Sequence, residues 1–219
     1  MNFNMSDPTP ERPYSDILGE EWKKMDIPRF SDVSKQELEK LGFRIYELKG
    51  RTIHDLVRDG MRFATSWQND EQSLLSLPSH RTEVAIFPTD PYMPRSSDKT
   101  FEIHRGMLVS YRKQLSKKIT LPGSALMIGG VTDYIELALE HLKATHFKLF
   151  GKENGYRFAT TETTDGSRIV IVGQYREEGL TLDRILQEKH YKGVWCTPLI
   201  VPFSPSDPSV ISEDIVSIN

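Results

Sequence analysis

Two β-rich runs, YRFATTE and SRIVIVGQYRE, flank Thr164-Asp165-Gly166-Ser167, and Asp-Gly between such runs is the strongest short-range signal for a two-residue β-hairpin. It commits this part of the chain to antiparallel pairing. A two-residue turn also sets the register, with Thr160 opposite Ile171, Phe158 opposite Gly173 and Tyr156 opposite Tyr175. RIVIVG carries apolar side chains on both faces, which places it centrally, with layers above and below.

The rest of the chain is read around that hairpin. EVAIFP is a short apolar run ended by Pro88, and Thr89-Asp90-Pro91 follows as turn chemistry, the pattern of a buried strand. Behind Ser97 or Asp98, Phe101, His104, Leu108, Tyr111 and Leu115 recur at spacings of three and four, the stripe of a long helix. ALMIGG and VTDYIELALEHL then read as a strand, a glycine turn and an amphipathic helix. TLDRILQ reads as a short helical piece, and GVWCTPLIVP as a last strand with an edge or bulge at Pro198.

The first seventy residues read as mostly helical. Leu18, Trp22 and Met25 form one stripe, Ser34 and Glu37 form a capping box, and Gly42 suits a left-handed C′ position. Ile53, Leu56, Val57, Gly60, Ala64 and Trp67 continue at helical spacing, while FRIYEL between them reads as strand or tight turn. Residues 1–14, with Pro8, Pro10 and Pro13, read as a flexible arm, and 204–219 as an extended or loose tail. The expected architecture is one α/β domain over 15–203, helical over 15–70. It holds a mixed, mostly parallel sheet of about five strands with the antiparallel hairpin and flanking helices.

Composition narrows the function classes. The formal net charge of −3 and a pI near 6.1 give no global pull toward nucleic acid or anionic membrane. No stretch approaches the roughly 20 apolar residues of a bilayer span, and MNFNMSDPTPERP lacks the pattern of a secretory signal. No membrane association is expected. Cys196 is the only cysteine, which fits a reduced, cytoplasmic compartment, and its apolar neighbours make it a core residue rather than a nucleophile served by His190.

The chemistry-bearing residues read more plainly as structure. IGGVTD lacks the Lys-Ser/Thr ending of a phosphate loop and the third glycine of a dinucleotide fingerprint. A capping box of Asp133 with Glu136 would also occupy the helix-start donors and repel phosphate, so the glycines read as a corner. Glu136 and Glu140 read as a solvated face, His104 as a satisfied core histidine, and His141 and His146 as too far out of phase to share a metal. No catalytic residue, metal site or cofactor is expected.

Two surfaces remain as candidates. Thr89, Asp90, Gly129, Gly130 and Asp133 would meet in a small-molecule pocket if the strands at 84–87 and 125–128 are parallel neighbours. Between residues 95 and 118, seven basic residues face only Asp98 and Glu102. Of these, Arg105, Arg112, Lys113 and Lys117 fall away from the apolar stripe, a docking face for an acidic protein or nucleic acid.

The segments ELEKLGFRIYELKG, LPSHRTEVAIFP, MIGGVTDYIELALEHLKATHFKLFG and TPLIVP, in that order, resemble an uncharacterised bacterial protein family of unknown function, over about residues 34–202. The resemblance implies one bacterial domain, in which LGF…ELKG is a helix-turn unit and not a strand. It brings no reaction, ligand or catalytic residue. The leading expectation is therefore an accessory or binding protein without catalysis; the alternative is a small-molecule-binding domain or enzyme using the pocket above.

Overall fold

The computed structural model describes residues 27–64, 72–121, 123–150, 157–202 and 216–218. The expected arm, the Leu18–Met25 helix, Trp67, Tyr156 and most of the tail lie outside the described residues.

The chain opens with α1 (Asp32–Lys40), β1 (Arg44–Lys49), α2 (Ile53–Arg58), α3 (Gln72–Leu75) and β2 (Arg81–Ile86). It continues through α4 (Phe101–Leu115), β3 (Ser124–Met127), α5 (Val131–Thr145), β4 (Phe158–Asp165), β5 (Arg168–Gly173) and β6 (Thr181–Leu186), then β7 (Val194–Trp195), β8 (Leu199–Pro202) and β9 (Val216–Ile218). The strands form two sheets, ordered β1-β2-β8-β3-β9 and β6-β5-β4-β7.

The first sheet is antiparallel throughout, and in the second only β4 and β7 run parallel. This overturns the expected mixed, mostly parallel sheet of about five strands. β2 and β3 do point the same way, but β8 lies between them and runs against both, with Ile200 paired to Ala85 on one side and to Leu126 on the other. α5 does not return the chain to the sheet it left, because β4 belongs to the second sheet. Chain order identified the strands; pairing between distant segments decided their neighbours.

α5 packs against β1 of the first sheet and against β4 and β5 of the second. It is buried from Val131 through Leu139, and such a helix, hidden on nearly every side, belongs between layers. The opposite face of the first sheet is covered by a smaller cluster in which Leu38 of α1 and Leu115 of α4 meet Ala85, Leu126 and Ile200.

Local signals fared unevenly. Gly42 takes φ +87 at the end of α1, and Phe43 N donates to Leu38 O, the left-handed stop expected there. The N-cap of α1 is Ser31 rather than Ser34, whose own N–H donates to the Ser31 hydroxyl. FRIYEL yields the strand β1, paired residue by residue with β2, so the helix-turn reading is wrong here. α2 stops at Arg58 because Gly60 turns the chain at φ +101. TLDRIL is the strand β6, and GVWCTPLIVP splits at Pro198 into β7 and β8 in different sheets.

The hairpin pairs Phe158 with Gly173 and Thr160 with Ile171 as expected. A bulge between Thr160 and Thr164 then shifts the register, so Asp165 pairs with Arg168 and the turn is Gly166-Ser167, with Gly166 at φ +59. Glycine first is the order that a positive φ at the first turn position favours.

Candidate functional site

A cleft opens where β2 ends. Phe87, the first residue beyond the strand, is 38% exposed and meets Phe43 edge-on at 5.7 Å. The chain then runs through Pro88 to Asp90, whose carboxylate accepts from Arg157 Nη1 at 3.1 Å. The Arg157 guanidinium lies over the Trp195 ring at 4.6 Å and the Tyr92 ring at 5.5 Å, which holds this loop against the second sheet.

Further along, Met93 N donates to Cys196 O at 2.8 Å, and Cys196 N donates to the Ser96 hydroxyl at 3.0 Å. His104 on α4 completes the clamp. Its Nε2 lies 2.8 Å from the Ser96 carbonyl and therefore carries the ring proton, while burial lowers its pKa and keeps the imidazole neutral. His104 is a core residue, yet its Nδ1 has no partner. Cys196 is fully buried, and desolvation raises its thiol pKa, so it packs as a small apolar group.

Between this pinned loop, the start of β1 and α4 lies a cleft of about 790 Å³. Its walls include Phe43, Phe87, Met93, Met107 and Tyr111, and its polar lining includes Arg95 and Lys118. Burial raises the Tyr111 pKa, which keeps that phenol protonated and able to donate.

A second polar constellation sits on α5. Gly130 is the N-cap, and Asp133, the third helical residue, accepts the Gly130 N–H at 2.7 Å. The same carboxylate accepts the backbone N–H and the ring Nδ1 of His80, both at 2.7 Å. Val131 N donates to the Thr163 hydroxyl at 2.8 Å and Gly129 N to the Tyr134 hydroxyl at 3.0 Å. Each amide from Gly129 to Val131 thus has a protein partner, and the turn is a corner with its donors filled. A Cβ at Gly129 would lie 2.8 Å from Leu199 Cδ1, so that side chain would have to shift to admit one.

Glu136 departs furthest from expectation. Instead of completing a capping box or facing water, it is 0% exposed and accepts from Lys49 N at 3.0 Å, from Arg51 Nε at 2.7 Å and from the Ser79 hydroxyl. Arg51 also reaches Glu140 and Asp59. Burial works to lower the Arg51 pKa, but hydrogen bonds to Glu140, Glu136 and Asp59 more than reverse this. One turn on, His141 Nδ1 lies 2.6 Å from the Tyr46 hydroxyl; burial disfavours the charged forms of both rings, so the neutral imidazole accepts from the phenol.

The five pocket residues expected from the sequence divide into two groups. Asp90 lines the cleft, with Thr89 exposed beside it, whereas Gly129, Gly130 and Asp133 lie together at the start of α5 and line no part of the cleft. β2 and β3 are not neighbours, so the condition for their meeting fails. Of the basic set, Lys113 and Lys117 are exposed and Arg112 is half-buried, while Arg105 lies near the Phe101 ring and Glu102. Sequence reasoning missed Arg51, Ser79 and His80 as partners of the α5 acids, and the cleft role of Phe87, Met93 and Met107. Phe87 alone left a signal, as an aromatic placed between an apolar strand and a proline.

The Asp133 carboxylate pushes the His80 pKa up to about 9 from 6.5. The paired imidazolium therefore stabilises the fold fully below pH 6.5, and this contribution fades as pH rises through about 9. The effect is small, because 60% of the His80 side chain is open to solvent. The melting-temperature gap between the protein and its His80→Gln variant should be constant below pH 6.5 and close above about 9. A gap unchanged at pH 10 would refute the pairing.

Among the described residues, no group of three or more His, Cys, Asp or Glu is placed to hold a metal ion, and no helix is long and apolar enough to cross a membrane. Comparison of the chain with family models, curated proteins and solved structures gives no match.

Proposed function

We propose that this protein is a binding protein for a small, largely apolar ligand held in the cleft between α4 and the loop after β2. The observation that carries this reading is the cleft of about 790 Å³ walled by Phe87, Met93, Met107 and Tyr111. That volume lies within the range of ligand pockets, which combine mostly apolar walls with a few polar groups. Two methionines add flexible, polarisable wall that adapts to a ligand's shape. The pinned Met93–Ser96 loop supplies a preformed rim, which reduces the ordering cost of binding.

The neutral fluorescent probe N-phenyl-1-naphthylamine should bind the protein and raise its melting temperature. Met107→Arg, which places a charged stem inside the cleft, should weaken probe binding at least about tenfold while the variant still melts cooperatively. Equal probe affinity in the folded variant would sink this reading.

A further inference from the structure

We infer that the ligand is an anionic amphiphile, whose carboxylate or phosphate head pairs with Arg95 and Lys118 while its apolar body lies against Phe87 and Met107. This rests on the cleft being the binding site.

Charge complementarity is the first support. Both cations line the cleft and both are exposed. The acid among the lining residues, Asp90, is already paired with Arg157 at 3.1 Å. The net field at the rim is therefore positive. Seven basic residues against two acids between 95 and 118 extend that field along α4, where it would draw in an anion from solution.

The backbone at Arg95 is an independent support. Ser96 N donates to Met93 O at 3.3 Å, closing a turn with Pro94 at the second position and Arg95 at the third, at φ +64. That third position, with positive φ after proline, is where type II turns take glycine or asparagine. An arginine there holds a strained backbone conformation that its side chain does nothing to ease. The strain is accounted for if the turn exists to present the guanidinium at the cleft, where its fork matches a carboxylate or phosphate in two parallel hydrogen bonds. Lys118, just past the end of α4, supplies a second, flexible donor.

The test compares decanoate, decyl phosphate, decanol and decylamine, each below its micelle-forming concentration, by calorimetric titration. Decanoate or decyl phosphate should bind at least about tenfold more tightly than decanol, with decylamine weakest, and the preference should shrink with added salt. The two anions distinguish a carboxylate source from a phosphate source. Arg95→Gly should raise the melting temperature, because glycine suits φ +64, yet weaken anion binding about tenfold. Arg95→Gln with Lys118→Gln should bring decanoate and decyl phosphate down to the affinity of decanol. Decanol equal to decanoate, or Arg95→Gly with unchanged anion affinity, would overturn this inference alone. Loss of the neutral probe in the unmodified protein would overturn the cleft reading beneath it.

Discussion

Glu136→Ala should cost about 3–5 kcal/mol, the range for breaking a buried ion pair from one side. The side chain is 0% exposed, and its removal strands three donors at once: the Arg51 guanidinium, the Ser79 hydroxyl and the Lys49 N–H. Arg51, with only 15% of its side chain exposed, has little access to water as a replacement. It would keep Glu140 and Asp59, so the loss should fall short of unfolding the protein. For a chain of this size the expected fall in melting temperature is roughly 6–20 °C. Glu136→Gln keeps the shape and one acceptor oxygen but replaces the other with an NH2 donor and loses the charge, and should lie between the two. The double variant Arg51→Met with Glu136→Met should recover part of the loss, because removing both charges also removes their desolvation cost. A Glu136→Ala protein melting within a degree or two of the parent would mean that this network does not hold α5 to the first sheet.

Gly173→Ala should be nearly as damaging for a different reason. Gly173 faces Phe158 across β4 and β5, and a Cβ there would lie 2.3 Å from the Arg157 carbonyl oxygen and 2.7 Å from Phe158 Cα. Both obstacles are backbone, and neither can rotate aside as a side chain would. The strands must part or the pairing must slip, which places the cost near the upper end of overpacking, about 3 kcal/mol. Parting would also shift Arg157, whose guanidinium bridges Asp90, Trp195 and Tyr92 at the cleft. The variant should therefore lose both melting temperature, by roughly 6–12 °C, and cleft binding. Wild-type stability in Gly173→Ala would show that the close approach of β4 is not enforced.

These two residues also mark how much of the molecule was legible from its sequence. Gly173 falls opposite Phe158 when the register is counted from an Asp165-Gly166 turn; the turn is Gly166-Ser167, and the bulge between Thr160 and Thr164 restores that pairing. The bulge near Thr160 left no signal, since β4 advances four residues from Thr160 to Thr164 while β5 advances two from Ile171 to Ile169, and two extra residues preserve the alternation of side chains. Glu136 was misjudged for the opposite reason. A glutamate four residues before another on an amphipathic helix is ordinarily solvated, and nothing local distinguishes the exception. Its partners Ser79 and Arg51 lie 57 and 85 positions away.

The cleft was half visible. The sequence marks Asp90 and the turn after β2, but it points the pocket toward Gly129 and Asp133, which holds only if β2 and β3 are adjacent. The insertion of β8 between them separates those groups, and the cleft forms instead against α4, where Met107 and Tyr111 face the loop.

What the amino-acid order determined by itself is local: the antiparallel hairpin, the left-handed stop at Gly42, the buried stripe of α4 and the Gly129 corner. Each depends on side-chain periodicity or on a backbone conformation that one residue type favours, and those forces act over a few positions. Which strands lie side by side, which face of α5 meets water, and where an open cleft remains were decided only in the tertiary structure. These depend on contacts between segments far apart in the chain. Many such pairings would satisfy the same apolar pattern, and the one adopted is the one that buries α5 between two sheets with its acids fully partnered.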